Sequence, residues 1–104
     1  MSIKNCTLII SSCDAYEDLW PPFFNLLKKY WSDCPFDKVL ITEKKNPNIP
    51  KVKIFNGMDD PNWSSRLKNA VINSKSDYVL LILEDFFLQS KVNNNELLKA
   101  FHNF

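Results

Sequence analysis

Six apolar residues in a row, Tyr78-Val-Leu-Leu-Ile-Leu83, are too short for a membrane span and rich in branched side chains. Such a run predicts a strand buried on both faces, at the centre of a sheet. It stops abruptly on Glu84 and Asp85. Three further segments carry strand patterns. Cys6-Thr-Leu-Ile-Ile-Ser-Ser12 predicts a buried first strand, Lys38-Val-Leu-Ile-Thr-Glu43 a second, and Val52-Lys-Ile-Phe55, which alternates apolar and polar, a third nearer the sheet edge. Between them the period changes. Phe23, Leu26, Leu27, Tyr30 and Trp31 recur at helical spacing behind Pro21-Pro22, which suit a first turn, and this helix ends before Pro35. Asp60 and Pro61 predict the cap and first position of a second helix, with Trp63, Leu67, Ala70, Val71 and Ser74 on one face and Lys75-Ser-Asp77 closing it. Asn93, with Glu96 three residues on, opens a last amphipathic helix through Leu97, Leu98, Phe101 and Phe104.

The order β-α-β-β-α-β-α predicts an α/β fold: a mainly parallel open sheet of about four strands with flanking helices and right-handed crossovers. A chain of 104 residues makes one such domain. Because the last helix stops in its second or third turn without a C-cap, residues 1–104 read as a domain incomplete at its carboxyl end.

Composition narrows the chemistry. A single Gly excludes the glycine-rich phosphate loops of the Rossmann and P-loop types. Thirteen basic against 12 acidic residues, with lysines scattered in ones and twos, leave no nucleic-acid footprint. Cys6, Cys13 and Cys34 lack a C-x-x-C spacing, and His102 is the one histidine, so zinc is not expected. These thiols, with no secretory signal peptide, fit a reducing cytosol, where Cys behaves mostly as a small buried hydrophobe. No stretch is long enough for a transmembrane helix.

Candidate chemistry lies at the strand ends. In open α/β sheets ligands bind outside the carboxyl ends of the strands. The polar loop Ser11-Ser-Cys-Asp-Ala-Tyr-Glu-Asp18 after strand one, Glu43 after strand two and the Glu84-Asp85 pair are expected to converge on that edge. Solvated strand ends are the plain alternative.

Two segments resemble a known family. Trp63-Ser-Ser-Arg-Leu-Lys-Asn-Ala-Val71 followed by Tyr78-Val-Leu-Leu-Ile-Leu-Glu-Asp-Phe-Phe-Leu88 resembles the central block of the glycosyltransferase A-type fold, where an Arg-bearing helix leads into an apolar strand ending in an acidic D-x-D or E-D-D motif. Leu8-Ile-Ile-Ser-Ser-Cys-Asp-Ala-Tyr16 is similar to the first strand and nucleotide loop of bacterial sugar transferases that build surface polysaccharides. The resemblance implies the amino-terminal, donor-binding portion of a glycosyltransferase that uses a nucleotide sugar, in the cytoplasm and at most peripheral to the inner membrane. It implies that Glu84 and Asp85 are the acidic motif, Ser12 and Asp14 the loop near base and ribose, Glu43 the acid after strand two, and Arg66 a support for donor binding. It also implies a divalent cation, Mn or Mg, on Asp85 to meet the diphosphate. Phe86 stands at the third position of the motif, where the E-D-D version places the acid that most directly meets the metal. Acceptor-binding and catalytic segments are not within these residues. A non-catalytic α/β module, either a transferase remnant or a partner-binding domain, is the alternative from another class. A flavodoxin-like phosphate binder is disfavoured by the single Gly. The oligomeric state is left open.

Overall fold

The structure, a computed structural model, describes residues 5–57, 62–85 and 87–97. Strand β1 (Cys6–Ser11) leads through a 3-10 segment (Asp14–Leu19) into helix α1 (Trp20–Tyr30). Strands β2 (Asp37–Thr42) and β3 (Val52–Asn56) follow, then helix α2 (Trp63–Ser74) and strand β4 (Tyr78–Leu83). The strands form one sheet in the order β3-β2-β1-β4, and every neighbouring pair is parallel. The fold is therefore the expected α/β class, a parallel sheet with flanking helices.

The sheet has two apolar faces. On one, Leu8, Ile10 and Leu40 pack under α1 with Trp20, Phe23, Leu27, Trp31 and Phe36. Residues alternate across a strand, so Ile9 and Ile41 face the other way and meet Ala70 of α2. Leu8, Ile9, Ile10 and Leu40 are fully buried, and each contributes roughly 1.5–3 kcal/mol relative to an exposed side chain. Trp31 and Phe36 meet edge to face at 5.9 Å, closing the end of the α1 layer.

The local signals work mostly as read. Pro21 and Pro22 fall in the first turn of α1, where a missing N–H costs nothing, and Lys28 and Lys29 lie in its last turn, where cations suit the helix dipole. The start of α2 differs from expectation. Its cap is Asn62, whose side chain accepts from the Ser65 N–H at 3.2 Å, whereas the expected cap and first position, Asp60 and Pro61, lie outside the described residues. Lys75 ends α2 in the left-handed conformation at φ 55°. The Gly57 N–H donates to the Thr42 carbonyl at 3.0 Å, extending the β2–β3 ladder. Asn93 caps the last helical turn by accepting from the Glu96 N–H, and Asn94 ties it to α1 by accepting from the Trp31 indole N–H at 2.6 Å. Leu98, Phe101 and Phe104 of that expected helix lie outside the described residues.

One expectation is overturned. Tyr78–Leu83 was expected to be central and buried on both faces, yet β4 stands at one end of the described sheet and β1 occupies the inner position with β2. Tyr78, Leu80 and Ile82 pack against the α1-side core, but Leu81 and Leu83, on the α2 side, are 40% and 44% exposed. The reason is geometric. The one described helix on that face packs over β1 and β2, so its cover stops before the tip of β4.

Candidate functional site

Register brings the two chemically interesting strand ends together. Ser11 of β1 pairs with Leu83 of β4, so the next residues on each strand, Ser12-Cys13 and Glu84-Asp85, emerge side by side at the carboxyl edge. They line a pocket of about 330 Å³. Tyr16 and Leu19 of the 3-10 segment and Trp63, the first residue of α2, supply its other walls. Glu84 is buried at 8% exposure and Asp85 is exposed, while Tyr16 and Trp63 keep about half of their surfaces in solvent, at 50% and 46%.

The lining is unusual in sign. Among the described residues it carries two carboxylates and the hydroxyls of Ser11, Ser12 and Tyr16, but no Lys or Arg. Ser12 is held in place, because its Oγ accepts from the Trp20 indole N–H at 2.8 Å in a buried contact. The arrangement can accept hydrogen bonds from ligand hydroxyls and can stack a planar group on aromatic faces.

Asp14 and Glu43 form a second, separate constellation between β1 and β2. The Asp14 carboxylate accepts from the backbone N–H of Glu43 at 3.1 Å, Lys44 at 3.0 Å and Lys45 at 3.4 Å. In return the Asp14 N–H donates to Glu43 Oε1 at 3.1 Å. The two loops are thereby buttoned together. Burial alone would raise the Asp14 pKa, but the hydrogen bonds from Lys44, Glu43 and Lys45 and the nearby Lys45 charge outweigh it and hold the carboxyl below its ordinary value. A salt bridge between Lys45 and Glu17 secures the rim of the same loop pair.

Of the six residues singled out in the sequence, Ser12, Glu84 and Asp85 share the pocket, whereas Asp14, Glu43 and Arg66 do not line it. Arg66 is 6% exposed, one turn into α2, and its methylene stem lies where a Cβ on Gly57 would stand, beyond the end of β3. The loop that carries Cys13 and Tyr16 was expected at this edge, whereas Leu19 and Trp63 were not singled out as pocket residues. Trp63 looked like core because it falls on the apolar stripe of α2. The available signal was its place in the first turn, since helices that follow parallel strands begin at the ligand edge.

The described residues contain no group of three or more His, Cys, Asp or Glu side chains able to hold a metal. Glu84 and Asp85 alone are too few for an all-protein cage, and suit only a cation that draws its remaining ligands from a bound anion and water. No described helix is long and apolar enough to cross a membrane. No protein-family model, no curated protein and no solved structure matches this chain.

Proposed function

We propose that the chain is the donor-binding portion of a glycosyltransferase and that it holds a nucleoside-diphosphate sugar at the carboxyl edge between β1 and β4. The observation that supports this reading best is the lining of the pocket, where two half-exposed aromatic walls flank a set of hydroxyls and carboxylates with no basic side chain among the described residues. A nucleobase stacks on Tyr16 or Trp63, a contact worth roughly 1–3 kcal/mol per base. Glu84, Asp85 and Ser12 accept from or donate to ribose and sugar hydroxyls.

The diphosphate needs positive potential that this lining lacks. Part comes from the amino end of α2, which begins at the pocket and carries the positive end of the helix dipole. Asp85 and Glu84 would hold Mn or Mg together with diphosphate oxygens, and such a cation neutralises charge on the leaving diphosphate. Asp14 and Glu43 serve this reading as the clasp that fixes the loop carrying Cys13 and Tyr16. A non-catalytic module is the second reading, favoured by the commitment of Asp14 to backbone N–H groups rather than to an open pocket.

Calorimetric titration with UDP-, GDP-, ADP- and dTDP-sugars, each with and without Mn, tests the proposal. Saturable binding that tightens with Mn is expected. Trp63→Ala should weaken it about ten-fold or more, as loss of stacking requires, and Asp85→Ala should weaken it with the circular dichroism unchanged. If no sugar nucleotide in the panel binds, the donor-site reading fails and the non-catalytic module stands.

A further inference from the structure

A second concavity lies on the α1 face, away from the pocket of Glu84 and Asp85. This groove, about 1000 Å³ in volume, runs along α1 from Trp20 through Phe24 to Trp31, with the irregular segment of residues 45–51 as its opposite wall. The eleven residues of α1 make it roughly 17 Å long, at 1.5 Å per residue. Pro47, Ile49 and Val52 give the far side an apolar surface to match the aromatic one.

Charge in the groove is one-sided. α1 runs back against the strands, so Lys28 near its end, Lys38 near the start of β2 and Lys51 just before β3 gather toward the amino edge of the sheet. Among the described residues none of these three forms a salt bridge, whereas Lys45, also on the groove, is matched by Glu17. Three cations from three separate parts of the chain at one end of an apolar trough call for a ligand with several negative groups beside an apolar stripe.

Polar groups decide between the possible ligands. Asn25, Ser32, Asn46 and Asn48 interrupt the apolar lining. A hydrocarbon chain would bury such groups unpartnered, while a peptide offers them donors and acceptors. The carboxyl-terminal stretch of this chain, Leu98-Lys-Ala-Phe-His-Asn-Phe104, has no acidic side chain, and neither α1 nor α2 carries one that a second copy could present.

We infer that the α1 groove is a docking site for an acidic amphipathic helix of a partner protein, about three turns long, with its apolar stripe against Pro21, Phe24 and Ile49 and its carboxylates at Lys28, Lys38 and Lys51. This site is independent of the nucleotide-sugar proposal and stands or falls separately. Trp20 forms a wall of the groove while its indole N–H holds Ser12, so the two sites share one side chain.

Selection of a random twelve-residue peptide library displayed on phage against the immobilised full chain tests the inference. Recovered peptides should carry apolar residues at helical spacing with Asp or Glu toward one end, and should shift the Trp20 and Trp31 indole signals in NMR spectra. Fluorescein-labelled synthetic copies should bind the triple variant Lys28→Glu, Lys38→Glu, Lys51→Glu about ten-fold or more weakly, as expected when three solvent-accessible pairs are lost, and raised salt should weaken the wild type alone. Circular dichroism verifies that the variant is folded, and Lys29→Glu, outside the groove, should leave binding unchanged. Recovery of no peptide, or of peptides without acids, overturns the inference. So does equal binding by the triple variant. Phosphatidylglycerol vesicles that bind through the same lysines where no peptide does would assign the groove to a membrane surface instead, and self-association abolished by the triple variant would assign it to a second copy.

Discussion

Replacing Asp14 by Ala removes the clasp between the β1 and β2 loops. Its carboxylate accepts from three backbone N–H groups, two at 3.0–3.1 Å and one, from Lys45, at a marginal 3.4 Å. Each such bond contributes a net 0.5–1.5 kcal/mol or so. Solvent access to the rim lowers the upper end, and the Lys45 contact adds little, so the expected loss is about 2 kcal/mol. In a domain of this size that corresponds to roughly 8–16 °C in Tm. Asp14→Asn keeps one acceptor oxygen but not the charge, and should lose about half as much. The pH dependence follows from the lowered carboxyl pKa. Stabilisation from a depressed carboxyl is fully present above its unfolded pKa, about 3.9, and is lost as pH falls through the lower folded value. Urea melts of wild type and Asp14→Asn should therefore differ by a constant amount above about pH 5 and converge below about pH 4. A loss under about 0.5 kcal/mol for Asp14→Ala, or a gap that persists unchanged at about pH 3, would refute the clasp.

Two other perturbations are equally direct. Burial pushes the Cys6 and Cys34 thiols up, whereas Cys13 borders the pocket, so maleimide at neutral pH should label Cys13 first and a bound sugar nucleotide should slow that step alone; mass spectrometry of the digested protein reads both outcomes. Gly57→Ala would place a Cβ 2.8 Å from Arg66 Cδ and 2.9 Å from its Cγ, and because Arg66 is buried its stem has little room to give, so a destabilisation of about 1–3 kcal/mol is expected in thermal or urea melts.

The local patterns of the sequence carried the elements, and the long-range geometry escaped them. β1, α1, β2 and β3 lie within a residue or two of where the periodicities put them, because Leu8-Ile-Ile, the α1 stripe and Val39-Leu-Ile are each fixed by burial on the nearest layer. The position of β4 escaped, since an all-apolar strand looks the same whether it has one neighbour or two, and only pairing with β1 decides. The cap of α2 escaped because Asp60 and Asn62 are both good caps two residues apart. The carboxylates at the strand ends were legible as a set. Their division into a clasp, Asp14 with Glu43, and a pocket, Glu84 with Asp85 and Ser12, depends on which side of β1 each neighbour strand falls. Arg66 followed its own helix turn toward Gly57, which no local pattern announces.

The inner place of β1 also has a consequence in time. One of its edges is taken by β2, only some thirty residues further on, but the other must wait for Tyr78–Leu83. During synthesis from the amino terminus the β1–β2–β3 block can assemble while its exposed flank stays bare. The wall that carries Glu84 and Asp85 arrives last. A chain halted before that strand would have much of its sheet and both helices but half of its crevice, so the pocket is completed only when the most distant pairing in the sheet is made.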